Sequence, residues 1–271
     1  MGNFIDLVKT RRSVRSFDGN GIEPQLLNEL KSYAEESTNP YDIKVRFEFL
    51  DAAANGLSSP VITGEKNYVS AVVSKVDHAE EAYGYSFQKL LMKAHELGLG
   101  TVWIGGTMPR EKFEKASDLK NDEIMPCVSP LGVAAKKMSV KESLMRKGVK
   151  ADSRMKFEEL FFVGDFSKPL DERYANENGL FDDLEAVRLA PSAVNKQPWR
   201  IVVDGKKAHF FEKHDKGYLT PSYDLQKIDV GIALYNFEAQ MLEECRTPVL
   251  SVEKPSFKVP EGIDYIATYT F

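Results

Sequence analysis

The chain has 271 residues, of which 42% are apolar and 11% aromatic, so a disordered protein is excluded. Its 36 basic and 41 acidic side chains give a formal charge of −5, which excludes a general attraction to nucleic acid or to anionic lipid. No stretch approaches the ~20 apolar residues of a membrane helix, and only two cysteines are present. We therefore expect a cytoplasmic protein without a membrane or nucleic-acid partner, folded as one large domain or two small ones.

The first half of the chain is predicted to alternate helices and strands. Apolar residues at helical spacing indicate helices at 24–36, 83–100 and 110–117, and strand-forming runs indicate strands at 45–50, 68–73 and 127–135. Residues 136–156 are rich in Lys and Arg and are typical of a solvated arm or loop.

The second half shows a similar series. A helix is predicted at 179–192, a hairpin of two strands around the Asp204-Gly205 turn, a long helix at 229–245, and two final strands. The stretch LKSYAEESTNPYDIKVRFEFLD resembles LEAVRLAPSAVNKQPWRIVVDG in its order of helix, turn and strand. The matched landmarks are Ser37 with Ser192, Arg46 with Arg200, and Gly84 with Gly231.

These matches predict a two-fold internal duplication, with one half at residues 1–160 and the other at 161–271. Chance likeness between helix–turn–strand units is the alternative. A duplicated chain can fold as an internal pseudo-dimer, with a two-fold interface made within one polypeptide.

A basic motif, RRSVR, lies at the end of a helix that the apolar residues Phe4, Ile5, Leu7 and Val8 predict. It contains Arg11, Arg12, Ser13 and Arg15. Arginine forks and a hydroxyl suit a phosphate monoester, which carries nearly two negative charges. The alternative is a solvated cluster of cations at a helix C-terminus.

A polar turn lies between two prolines, Pro191 and Pro198, and its residues Ser192, Ala193, Asn195 and Gln197 supply short polar groups on a stiff backbone. Such a turn suits the polar edge of a planar heterocycle, although an ordinary polar turn explains it as well.

A glycine-rich loop, GLGTVWIGG, contains Trp103, Ile104, Gly105 and Gly106. It is not a dinucleotide fingerprint, because Trp103 stands where the third glycine should be. Gly105 and Gly106 would let the backbone approach a flat ligand. The four histidines show no metal-ligand spacing, so the sequence predicts no metal site.

The three motifs RRSVRSFDG, LAPSAVNKQPWRIVV and LGLGTVWIGG together resemble the signatures of the nitroreductase family of FMN-dependent oxidoreductases. The resemblance implies an α+β, nitroreductase-like fold whose two related halves form an internal pseudo-dimer. The first half keeps the basic motif and the second keeps the turn, which implies one FMN per chain. A monomer would then suffice for the site, and further dimerisation stays open.

The resemblance also implies a role for each motif residue. Phosphate is expected at Arg11, Arg12, Ser13 and Arg154, and the pyrimidine edge of the flavin at Arg15. The ring is expected to meet Ser192 and Asn195 of the turn, with backbone N–H groups near Ile104, Gly105 and Gly106 pointing at N5 and O4. The other residues expected to bind the cofactor are Trp103, Pro191, Ala193 and Gln197. No side chain is expected to act as a catalytic acid or base.

The resemblance favours an enzyme that takes electrons from NAD(P)H and passes them to a small-molecule acceptor, such as a nitroaromatic or a quinone. Alternatives on the same fold are dehalogenation, flavin breakdown and azoline oxidation. A protein that binds or stores flavin without turnover is a further alternative. A nucleic-acid binder built on RRSVR and residues 136–156 is disfavoured by the net acidity.

Overall fold

The computed structural model describes residues 3–271, which form two compact units. We call Thr10–Ala151 the basic-motif unit; the turn unit consists of Asp152–Phe271 and the described part of Met1–Lys9. The first helix, α1 (Phe4–Thr10), begins in the turn unit and leads directly into the basic motif. None of the described helices is both long and apolar enough to cross a membrane.

This division differs from the sequence-based boundary after residue 160, because residues 3–9 and 152–160 belong to the turn unit. The reason is apolar packing. The ring of Phe4 meets Tyr235 edge-on at 5.8 Å, and Phe157 contacts the rings of Phe161 and Phe181. These contacts hold both segments to the second half of the chain.

The basic-motif unit contains one antiparallel sheet and four helices of its own. Its elements are α2 (Pro24–Glu35), β1 (Val45–Asp51), β2 (Asn67–Ser74), α3 (Ala79–Glu96), β3 (Gly100–Thr101), α4 (Arg110–Ala116), β4 (Glu123–Ile124), β5 (Val128–Gly132) and α5 (Val140–Gly148). The strand order is β1-β2-β5-β3, and β4 pairs with β2. The predicted helices and strands of this half are thereby confirmed, except in the basic segment.

That segment, predicted as an arm or loop, forms the helix α5. Ser139 caps it, because the hydroxyl accepts the backbone N–H of Glu142 at 3.1 Å. The Ser-x-x-Glu spacing of these residues is the sequence pattern of a capping box. The prediction of a loop was based instead on the Lys and Arg content of the segment.

The turn unit has a second five-stranded sheet. Its further elements are α6 (Phe157–Leu160), β6 (Phe161–Val163), α7 (Glu172–Glu177), α8 (Phe181–Arg188), a 3₁₀ turn (Ala193–Asn195), β7 (Trp199–Asp204), β8 (Lys207–Lys213), α9 (Leu225–Glu243), β9 (Val249–Ser251) and β10 (Ile263–Thr270). The short strand β6 pairs in parallel with β7, and the other pairs are antiparallel. The sequence analysis missed α6, β6 and α7, which are short.

The two sheets share an order of strands. In the turn unit the order is β6-β7-β8-β10-β9, so β7, β8, β10 and β9 follow one another as β1, β2, β5 and β3 do in the basic-motif unit. In each unit two antiparallel strands precede one long helix, α3 or α9, and further strands of the same sheet follow it: β3, β4 and β5 after α3, and β9 and β10 after α9. This common topology favours the predicted internal duplication, which stays a prediction.

Candidate functional site

The basic motif of the sequence lies beside the glycine-rich loop. Ser13 forms a parallel bridge with Thr101 of β3, and the N–H of Val14 donates to the Thr101 carbonyl at 2.9 Å. The backbone of RRSVR therefore pairs with β3, the strand with which GTVWIGG begins. Two of the three sequence motifs thus meet within one unit.

Gly100 permits this close pairing. A Cβ at this position would lie 2.9 Å from the Cβ and both methyl carbons of Val14, whose side chain is buried. Such a distance is below van der Waals contact, so only glycine fits without a shift of the motif.

The arginines of the motif surround a buried carboxylate. Arg12 Nη1 donates to Glu142 Oε1 at 3.1 Å, and the side chain of Glu142 is 1% exposed. Arg15 Nη1 is buried and has no hydrogen-bond partner in the described part of the chain. Burial lowers the pKa of the Arg15 guanidinium, while the nearby Glu142 raises it and Arg146 of α5 lowers it again.

This arrangement fits an anion. A buried guanidinium nitrogen without an acceptor costs free energy, and an acceptor such as a phosphate oxygen would restore the missing bond. The sequence analysis missed Glu142, which uses one of the arginines expected to bind phosphate.

The glycine-rich loop differs from its expected geometry at Ile104. The Ile104 N–H donates to the Val128 carbonyl at 2.9 Å and its own carbonyl accepts the Val128 N–H, so this N–H does not point at a ligand. The Trp103 indole N–H donates to Gln88 at 3.3 Å, and its ring meets Phe87 edge-on at 4.8 Å. Both residues are thus used to attach the loop to the fold.

At Gly105 and Gly106 the backbone N–H groups are not used by the fold. Neither N–H donates to another group in the described chain. A Cβ on Gly106 would meet nothing within 4 Å, whereas one on Gly105 would lie 3.2 Å from the Cys127 sulfur. The backbone at Gly106 is therefore open to a ligand on its outer side.

The polar turn of the second motif has an unusual backbone. Val194, Asn195 and Gln197 all have left-handed φ values, at 50°, 59° and 52°. For residues other than glycine this conformation costs energy, most of all for the β-branched Val194, and it persists only where surrounding contacts impose it.

Side chains on both sides of the turn impose that conformation. The Ser192 hydroxyl accepts the backbone N–H of Gln197 at 2.8 Å, and the side-chain Oε1 of Gln197 accepts the backbone N–H of Met155 at 2.9 Å. Asp229 of α9 accepts the Ala193 N–H with both carboxylate oxygens, at 3.0 and 3.1 Å. Burial raises the pKa of Asp229 well above its usual range.

Asp229 was not singled out from the sequence. An acidic residue inside the apolar helix DVGIALYN was the available signal, since a buried carboxylate needs donors.

Arg154 lies against this turn. Its Nη1 is 3.4 Å from Asn195 Oδ1, its Nη2 donates to the Leu189 carbonyl at 3.3 Å, and Asn195 Nδ2 donates to the Ser153 carbonyl at 2.9 Å. The structure thus brings Arg154 together with Asn195, where the sequence analysis expected a phosphate ligand and a ring contact.

Comparison with known families gives one match over most of the chain. A family model described as "Putative TM nitroreductase" matches residues 3–241. No curated protein matches the chain.

Solved structures give the same result for the fold. "A putative nitroreductase" from Thermotoga maritima MSB8 superposes with a TM-score of 0.64 at 17% identity, covering 99% of this chain and 94% of that one. An FMN-dependent nitroreductase from Clostridium difficile R20291 covers 53% of this chain and 95% of its own, at 18% identity and a TM-score of 0.42. The Thermotoga likeness shows a shared fold.

Proposed function

Because this chain belongs to the nitroreductase family described as "Putative TM nitroreductase", we propose that it is an FMN-dependent oxidoreductase. NAD(P)H is the reductant in this proposal, and the acceptor is a small molecule such as a nitroaromatic or a quinone. The observation that supports it most directly is the buried Arg15 Nη1, which lacks a hydrogen-bond acceptor in the described part of the chain.

The basic motif would hold the phosphate and the charged edge of the cofactor. Arg11 and Ser13 keep the phosphate role that the resemblance assigns, and Arg15 offers an unused donor to an anionic oxygen. Arg12 takes a lesser part, because it already donates to Glu142. Glu142 instead keeps α5 attached to the motif.

The glycine-rich loop and the turn would hold the ring. Gly105 and Gly106 supply backbone N–H groups, and Gly106 leaves room for a flat ligand to approach. Ser192 and Asn195 lie on a backbone that Asp229 fixes, so their polar groups would be positioned before the cofactor binds. When bound, FMN supplies the chemistry that passes reducing equivalents from NAD(P)H to the acceptor.

The absorbance spectrum of the purified protein, before and after incubation with FMN, tests cofactor binding. Anaerobic addition of NADH or NADPH then tests turnover: we expect the flavin bands to bleach and to return when a nitroaromatic or a quinone is added. Absence of flavin bands after reconstitution contradicts the proposal. Bound flavin that neither nucleotide bleaches favours storage without turnover.

A further inference from the structure

We propose that Glu212, His214 and Asp224 of the turn unit bind a divalent transition-metal ion, represented by Zn²⁺. One ligand atom from each residue lies within 4.8 Å of the other two. Glu212 stands near the end of β8, His214 follows that strand, and Asp224 precedes α9. An ion here would join the end of the strand to the start of the helix.

Glu212 provides an observation independent of this clustering. Its side chain is fully buried, and neither carboxylate oxygen accepts a hydrogen bond in the described part of the chain, although His214 Nδ1 lies 2.9 Å from Oε1. A buried carboxylate without donors is costly, because its charge has lost the solvation that water provides. A bound cation would supply the missing interaction.

His214 is oriented as a metal ligand would be. Its Nε2 lies 2.8 Å from Asp264 Oδ2, so an N–H at Nε2 donates to that carboxylate. A neutral imidazole with its proton on Nε2 would direct the Nδ1 lone pair to the side where Glu212 Oε1 lies, 2.9 Å away. A carboxylate that accepts from the outer nitrogen is the usual support of a metal-binding histidine.

The short distance between Nδ1 and Oε1 suits two neighbouring ligands of one ion. Each would lie about 2.0–2.2 Å from the metal, which is compatible with a separation near 2.9 Å. Without a cation or a proton between them, two acceptors at this distance would repel each other.

Asp224 completes the set from a fixed position. Its Oδ1 accepts the backbone N–H of Gln226 at 2.9 Å, which caps α9, and the side chain is buried. One imidazole and two carboxylates favour Zn²⁺ or a similar transition metal over Mg²⁺ or Ca²⁺, which prefer oxygen ligands alone. The sequence gives no sign of this site, because the ligands come from separate elements without a motif.

Zn²⁺ binding to chelator-treated, tag-free full-length protein tests the proposal by titration calorimetry, with thermal unfolding measured alongside. We expect one Zn²⁺ per wild-type chain and a rise in the unfolding temperature. Glu212→Gln and His214→Asn should each weaken binding at least tenfold and abolish the rise. His78→Asn is the control, since His78, whose Nδ1 lies 3.7 Å from Glu81 Oε1, is not part of the cluster and its substitution should leave binding unchanged.

The proposal is overturned if wild-type protein binds Zn²⁺ no more tightly than His214→Asn. It is also overturned if His78→Asn loses as much affinity as the two ligand variants. His214 is exposed, so its substitution tests the site even where Glu212→Gln does not fold.

Discussion

Asp229 holds Ala193 by accepting its N–H with both carboxylate oxygens, and this contact joins α9 to a turn with three left-handed residues. Asp229→Ala leaves that N–H without its acceptor, so we expect the free energy of unfolding to fall by about 1–3 kcal/mol. FMN affinity should fall as well, because Ser192 and Asn195 would no longer be fixed. Denaturant unfolding and FMN titration measure the two effects.

Asp165→Ala is the control for this substitution. Asp165 also accepts a backbone N–H, that of Ser167 at 2.7 Å, but it is solvent-exposed. FMN affinity should be unchanged in this variant. A positioning role for Asp229 is contradicted if Asp229→Ala binds FMN as tightly as the wild type.

Arg15→Met separates cofactor binding from folding. The lost charge-assisted bond should weaken FMN binding ten- to a hundredfold, or by about 1.5–3 kcal/mol. Unfolding free energy should change by less than about 1 kcal/mol, because Arg15 Nη1 makes no hydrogen bond in the described chain. Arg173→Met, at an exposed arginine that pairs with Glu177, should alter neither quantity. If both variants lose FMN affinity equally, the loss comes from the change in net charge and not from a contact between Arg15 and the cofactor.

Gly106→Ala tests the open backbone of the glycine-rich loop. Since its Cβ would meet no protein atom within 4 Å, we expect stability within about 0.5 kcal/mol of the wild type. FMN affinity should fall at least tenfold, because the methyl group occupies the side on which the ligand approaches. Gly100→Ala, in contrast, should lower the free energy of unfolding by about 1–3 kcal/mol, because the new methyl group would clash with Val14. If Gly106→Ala binds FMN as tightly as the wild type does, the glycine-rich loop is not part of the cofactor site.

Asp183 predicts a pH dependence of stability. Burial raises the pKa of this carboxyl to about 7, although Arg246, bonded to both its oxygens, lowers it. The unfolded chain therefore releases this proton at lower pH than the folded chain does, and the group's contribution to stability falls as pH rises from about 4 to about 7. Asp183→Asn should flatten that part of the plot of unfolding free energy against pH. The control Asp77→Asn, at an exposed position, should leave the plot unchanged. Parallel profiles for wild type and Asp183→Asn would contradict the assignment.

The sequence predicted the long apolar elements, such as α3 and α9, because their apolar residues recur at helical spacing and most of each helix is buried. It also found the basic motif and the turn, since these are local in the chain. It could not predict that Val128 takes the Ile104 N–H or that Asp229 takes the Ala193 N–H. These bonds join residues more than twenty positions apart, and side-chain types alone do not specify such partners.

We expect one chain to bind one FMN. Flavin released by denaturation, quantified against protein concentration, measures it most directly when the native mass of the same sample is determined. The expected result is one FMN per chain, retained by the monomer. Two flavins per chain, flavin bound only by a dimer, or no flavin after reconstitution would contradict it.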